Sequence, residues 1–147
     1  MALNFSSVKK ILIPTDGSEH SVRAAEYGIS IAKALGAEIQ VAFVVDEIVL
    51  DQIAKITDRE AAERDLNDSG KGYVSYVRGL AEKEGVAASS VIAQGRPFER
   101  IVHVAKESNV DLIVMGTYGR RGTDRILIGS VAERVIEYAS CPVLVVK

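Results

Sequence analysis

Between Met115 and Ser130 the chain sets Gly116, Gly119, Gly122 and Gly129 among Thr117, Thr123 and Ser130, with Arg120, Arg121 and Arg125 interleaved. These residue types suit a phosphate chain. Glycine lets backbone approach anionic oxygens, the free N–H groups of a helix start attract them, and guanidinium groups neutralise them. The stretch starts where an apolar run, Leu112 to Met115, stops, and it finishes where a helical pattern, Ser130 to Tyr138, begins. A purely local reading competes. Glycines after a strand serve a turn, the arginines form a solvated face, and Ser130 with Glu133 makes an S-x-x-E capping box that needs no ligand.

Other sources of chemistry are thin. The sequence lacks G-x-x-x-x-G-K-[ST] and G-x-G-x-x-G phosphate loops, and the G-x-S-x-G nucleophile elbow. His20 and His103 have no partner at metal spacing and read as helix-surface residues. Cys141, beside Pro142, reads as packing, not as a nucleophile. Asp16, in Pro14-Thr15-Asp16-Gly17-Ser18, reads by itself as a turn former or an N-cap.

The elements that must position the loop follow from periodicity. Ile11 to Ile13, closed by Pro14, is a short buried strand, and Ser18 to Leu35 is a helix stopped by Gly36. Ile39 to Val45 is a second strand. From Ile48 to Glu84 the pattern is weaker: Arg59 to Leu66 and Tyr73 to Glu84 are helical in composition and read as one long helix softened at Gly70 and Gly72, with a loop followed by a shorter helix as the alternative. Val91 to Gln94, Leu112 to Met115 and Pro142 to Val146 are further strands, with helices from Pro97 and over Ser130 to Tyr138. Five apolar strands alternating with four helices predict a doubly wound, five-stranded parallel α/β sheet with helices on both faces. In such a sheet ligands bind beyond the carboxyl ends of the strands. If the first and fourth strands are neighbours, the Pro14–Gly17 turn and the glycine loop line one crevice.

The 147 residues suit one domain over 1–147, and 48% apolar with 26% charged residues makes it core-forming. A net charge of −2 gives no general attraction to nucleic acid or anionic membrane, so neither is expected as a partner. One cysteine excludes an internal disulfide. No apolar run approaches the roughly 20 residues that span a bilayer, and Met1 to Lys10 lacks a signal-peptide core, so a cytoplasmic protein is expected.

The spacing G-x2-G-x9-G-[ST], met by Gly116, Gly119, Gly129 and Ser130, resembles the ATP-binding signature of the universal stress protein family. So do Lys10 to Ser18, Val110 to Gly116 and Cys141 to Val146, which extend the resemblance over nearly the whole chain; it is weakest from Ile48 to Ser69. The resemblance implies strand order 3-2-1-4-5. It places Pro14, Thr15 and Asp16 against adenine and ribose, and the backbone of Val44 against adenine. Met115, Gly116, Gly119 and Arg120 then surround ribose and phosphates, while Gly129, Ser130 and Val131 donate hydrogen bonds to the phosphates. It further implies ATP or AMP as ligand, with Mg or Mn held mainly by the phosphates. Arg121 and Arg125 have no counterpart and remain supporting charge.

Three functions fit these residues: a nucleotide-binding sensor or regulator, a slow ATPase or phosphotransferase, and a nucleotide-independent dimeric scaffold. Phosphoryl transfer relies on side chains that hold a metal and orient the nucleophile. The loop offers no carboxylate pair beyond Asp16 and Asp124, so the sensor is preferred and no catalytic residue is assigned. Val143 to Val146 is apolar throughout yet takes an edge in the implied order, and such an edge invites pairing with a second copy. The resemblance implies a homodimer through this strand.

Overall fold

The computed structural model describes residues 4–117 and 128–147. Five strands, β1 (Lys10–Pro14), β2 (Glu38–Asp46), β3 (Ala88–Gly95), β4 (Leu112–Gly116) and β5 (Val143–Val146), form one sheet in the order β3-β2-β1-β4-β5. All four pairings are parallel. The helices are α1 (Glu19–Leu35), α2 (Glu47–Ala54), α3 (Arg59–Lys83), α4 (Pro97–Glu107) and α5 (Ser130–Tyr138). A short 3-10 turn, Phe5–Ser7, precedes β1.

Side-chain alternation along the central strands feeds two cores. Ile11, Ile13, Val41 and Val114 pack with Ala25, Ile29, Val74 and Val77 of α1 and α3. Leu12, Ala42, Ile113 and Met115 pack on the other face with Ile101 and Val104 of α4 and with Ala132 and Val135 of α5. Each fully buried Leu or Ile contributes about 1.5–3 kcal/mol by leaving water. Two such layers hold the central strands rigid, and with them the loops at their carboxyl ends.

The glycine stop of α1 works as read. Ser18 caps α1, and Gly36 ends it in the left-handed region at φ 68°. The long helix over the weak region is real: α3 runs unbroken through Gly70 and Gly72. Its soft spot is a packing requirement, because a methyl group on Gly70 would collide with the Phe43 ring. The expectation of four helices is corrected to five. α2 is two turns long, capped by Asp46, whose side chain accepts from the Ile48 N–H at 2.9 Å. A single fully buried residue, Leu50, anchors it. One anchor in eight residues leaves little periodicity to detect.

Candidate site at the carboxyl ends of β1 and β4

The first wall of the crevice is the turn after β1. The Thr15 N–H donates to the Ala42 carbonyl at 2.8 Å, carrying the pairing with β2 one residue past the strand. The Thr15 side chain then holds the turn together. Its hydroxyl lies 3.1 Å from the buried Ser21 hydroxyl and accepts from the Gly17 N–H at 3.3 Å. Asp16 Oδ1 accepts from the Ser18 N–H at 2.9 Å, which makes Asp16 the turn former. The cap of α1 is Ser18, whose Oγ accepts from the Ser21 N–H at 3.2 Å. The N-cap reading of Asp16 is therefore corrected. Gly17 sits at φ 82°, and a methyl group there would lie 2.5 Å from the Tyr73 ring of α3. Tyr73 meets Phe43 edge-on at 5.7 Å between ring centres, so α3 braces this turn from behind.

The second wall starts at the end of β4, which pairs with β1, so the two loops are neighbours as the crevice requires. A methyl group on Gly116 would stand 3.0 Å from the His20 carbonyl oxygen, in the first turn of α1. The next residue, Thr117, ties the wall together. Its N–H donates to the Val146 carbonyl at 3.1 Å, and its carbonyl accepts from the N–H of Gly129. The two ends of the glycine loop are thus joined at their base. The Thr117 side chain is buried, and its hydroxyl finds no hydrogen-bond partner among the described residues.

The start of α5 corrects another reading. Ser130 is the first helical residue, Gly129 occupies the N-cap position, and among the described residues no side chain caps the helix. The expected capping box between Ser130 and Glu133 does not form. Uncapped first-turn N–H groups seek an outside acceptor, and the helix dipole favours an anion there. α1, by contrast, satisfies its own start through Ser18.

The remaining expected residues divide clearly. Met115 is buried on the α4–α5 face, Val44 and Val131 are half-buried against the same core, and Pro14 is half-buried at the strand end. Gly119 and Arg120, with Arg121, Asp124 and Arg125, lie outside the described residues. Sequence reasoning missed Ser21, Tyr73 and Thr117. Ser18-x-x-Ser21 was a legible signal for the first; the other two are set by packing and have none. Among the described residues no group of three or more His, Cys, Asp or Glu is placed to hold a metal. His103 pairs on the surface of α4 with Glu107 at 3.1 Å. Burial pushes the Cys141 thiol above the ordinary cysteine range, and nearby Asp111 adds to the rise.

An open hollow of about 470 Å³ lies at the opposite end of the sheet, lined by Lys9, Lys10, Glu38 and Asp111 among others. Part of its polar lining is already matched. Asp111 Oδ2 accepts from the Lys9 and Lys10 N–H groups at 2.8 and 3.0 Å, and Lys10 pairs with Glu38 at 3.4 Å. The orphaned hydroxyl and the uncapped helix are both at the β1–β4 end.

The sequence model of the universal stress protein family matches residues 7–147. The chain belongs to this family. It is 45% identical over 139 residues to universal stress protein MJ0531 of Methanocaldococcus jannaschii, covering 95% of this chain and 82% of that protein. The solved structure of MJ0577, a universal stress protein of the same organism, superposes with a TM-score of 0.85 at 32% identity, over 95% and 96% of the two chains. A universal stress protein of Archaeoglobus fulgidus, solved in complex with dAMP, shares the fold at a TM-score of 0.68 and 23% identity, over 95% and 98%. In this chain the β3-β2-β1-β4-β5 sheet sets the two loops side by side. Among the described residues no helix is long and apolar enough to cross a membrane.

Proposed function

We propose that this universal stress protein binds an adenine nucleotide, ATP or AMP, at the carboxyl ends of β1 and β4 and acts as a cytoplasmic sensor or regulator. The observation that carries the reading is the start of α5. It is a helix terminus without a side-chain cap among the described residues, entered through Gly129 and Ser130, and joined through Gly129 to the end of β4. Bound there, the nucleotide brings a chain of phosphate oxygens. The N–H and hydroxyl of Ser130 and the N–H of Val131 donate to it. Gly116, Gly119 and Arg120 flank ribose and phosphates. Pro14, Thr15, Asp16, Met115 and the backbone of Val44 hold ribose and adenine. A Mg or Mn ion, where present, rides on the phosphates.

The chemistry of the described donors suits binding. They are backbone amides and hydroxyls, which orient phosphate oxygens. The nucleotide then serves as a signal whose output comes from the protein's own surface, in a dimer formed through β5. The Archaeoglobus fulgidus protein with dAMP is of this fold, and the reading for this chain rests on its own loop and helix start. Calorimetric titration with ATP and AMP, with GTP as the control, tests it. Saturable adenine-nucleotide binding is expected, and no heat with either adenine nucleotide overturns it. Sustained turnover of ATP would move the reading from sensor to enzyme.

A further inference from the structure

We propose that the hydroxyl of Thr117 is a further ligand contact, donating its proton to a phosphate oxygen of the nucleotide. The inference deepens the adenine-nucleotide reading and rests on it, but its evidence is a separate observation. Thr117 is 3% exposed, and its Oγ1 is buried without a partner among the described residues. Buried hydroxyls in folded proteins are nearly always hydrogen-bonded, and an orphan calls for a physical reason. Its neighbour in the first turn shows the contrast. Thr15 is equally buried, and its hydroxyl is within reach of both Ser21 Oγ and the Gly17 N–H.

Strand alternation sets the side of the sheet. The position a side chain on Gly116 would occupy faces His20 of α1. Met115, one residue earlier, packs on the opposite face with Ala132 and Val135 of α5. Thr117 follows the alternation of Met115 and belongs to the face where α5 begins. The Gly129 N–H, bonded to the Thr117 carbonyl, fixes the start of that helix within one hydrogen bond of the same residue. An unpaired hydroxyl and an uncapped helix start therefore stand together, and both seek an acceptor. A phosphate oxygen satisfies both, because it is anionic and accepts from several donors at once. Thr117 occupies a variable position of the G-x2-G-x9-G-[ST] pattern, so the motif itself does not assign it.

The test separates ligand from structure by the sign of two readouts. Thr117→Val keeps the branched shape and removes the hydroxyl; Thr117→Ser keeps the hydroxyl. In the ligand-free protein Thr117→Val is expected to melt at or above the wild-type temperature, since the hydroxyl it removes has no partner among the described residues. In calorimetry the same variant is expected to lose about 10- to 100-fold in affinity for ATP and AMP, the worth of a hydrogen bond to a charged group. Its affinity for adenosine should be unchanged, and Thr117→Ser should bind nucleotide close to wild type.

Wild-type affinity for AMP in Thr117→Val overturns the contact and leaves the nucleotide reading standing. A clear drop in ligand-free melting temperature for Thr117→Val overturns it too, as it reveals a structural partner. Equal loss for adenosine overturns the assignment to phosphate. Weak binding by Thr117→Ser overturns the role of the hydroxyl. If the wild type binds no adenine nucleotide, the broader reading fails and this contact fails with it.

Discussion

Gly116 and His20 approach so closely that a methyl group on the glycine would stand 3.0 Å from the histidine's carbonyl oxygen. That contact sets the first turn of α1 against the end of β4, beside the β1–β4 pairing that makes two loops far apart in sequence neighbours. The obstructing atom is helical backbone, which cannot rotate away as a side chain would. Gly116→Val is therefore expected to destabilise the fold by about 1–3 kcal/mol through overpacking. Urea denaturation measures this, and wild-type stability in the variant would contradict the close approach. Nucleotide affinity should fall in parallel, since the crevice must widen.

Gly129 behaves differently. Its φ of −72° and ψ of 160° are ordinary extended values that any residue adopts. A side chain at Gly129 therefore brings no backbone strain, and its cost falls on the ligand that must approach the helix start. Gly129→Val is expected to melt within a few degrees of wild type while losing nucleotide binding. Gly129→Asp sharpens the contrast. An N-cap aspartate raises helix stability by a few tenths of a kcal/mol relative to glycine, yet its charge repels phosphate at the same spot. Undiminished ATP binding in both variants would sink the proposed site.

Gly70 and Gly72 lie two residues apart in α3, yet opposite effects are expected from the same substitution. Alanine is worth roughly 1 kcal/mol over glycine in a helix interior. At Gly72 an added methyl group meets nothing within 4 Å, so Gly72→Ala should raise stability by about that amount. At Gly70 the methyl group would collide with Phe43, and Gly70→Ala should lose about 1–3 kcal/mol from overpacking, outweighing the propensity gain. Thermal melts of the two variants should move in opposite directions. Equal gains would show that α3 does not press on the sheet.

The sequence carried most of the architecture because its signals were local and redundant. Ser18 and Gly36 marked the ends of α1, Pro97 opened α4, and apolar runs too short for helices gave the five strands. Of the candidate site, Gly116 was legible because a close backbone approach demands glycine there. What stayed hidden depends on contacts between distant residues. Gly70 looks like a helix weakness until Phe43 is known to lie beneath it. Ser130 and Glu133 satisfy the capping-box pattern, yet the helix starts one residue too early for Ser130 to cap it. Thr117 has no pattern at all; only its burial marks it.

Cys141 offers a test through pH. Burial, with a smaller push from Asp111, raises its thiol above the usual cysteine value, so the folded protein favours the neutral thiol. Alkylation by iodoacetamide at pH 8 should run several-fold slower than for a free cysteine near pKa 8.5, and denaturant should restore the rate. The sign for stability follows from the raised value. The contribution is complete below the unfolded thiol's pKa and is lost as pH rises through the folded one, because the unfolded chain releases its proton first. A fast, pH-independent alkylation of the folded protein would contradict this environment.

β5 forms one edge of the sheet. β5 pairs only with β4 among the described strands, and Leu144 on it is 39% exposed although the strand is apolar from end to end. An apolar edge with unpaired backbone groups is a template for another chain, and Leu144 is the side chain that a second copy would cover first. Leu144→Lys should leave the fold intact, since the lysine head can stay in water while its stem lies along the strand. In sedimentation velocity at micromolar concentration the wild type is expected to run as a dimer and the variant as a monomer. A monomeric wild type would remove the proposed dimer, whereas a dimeric Leu144→Lys would move the interface to another face of the protein.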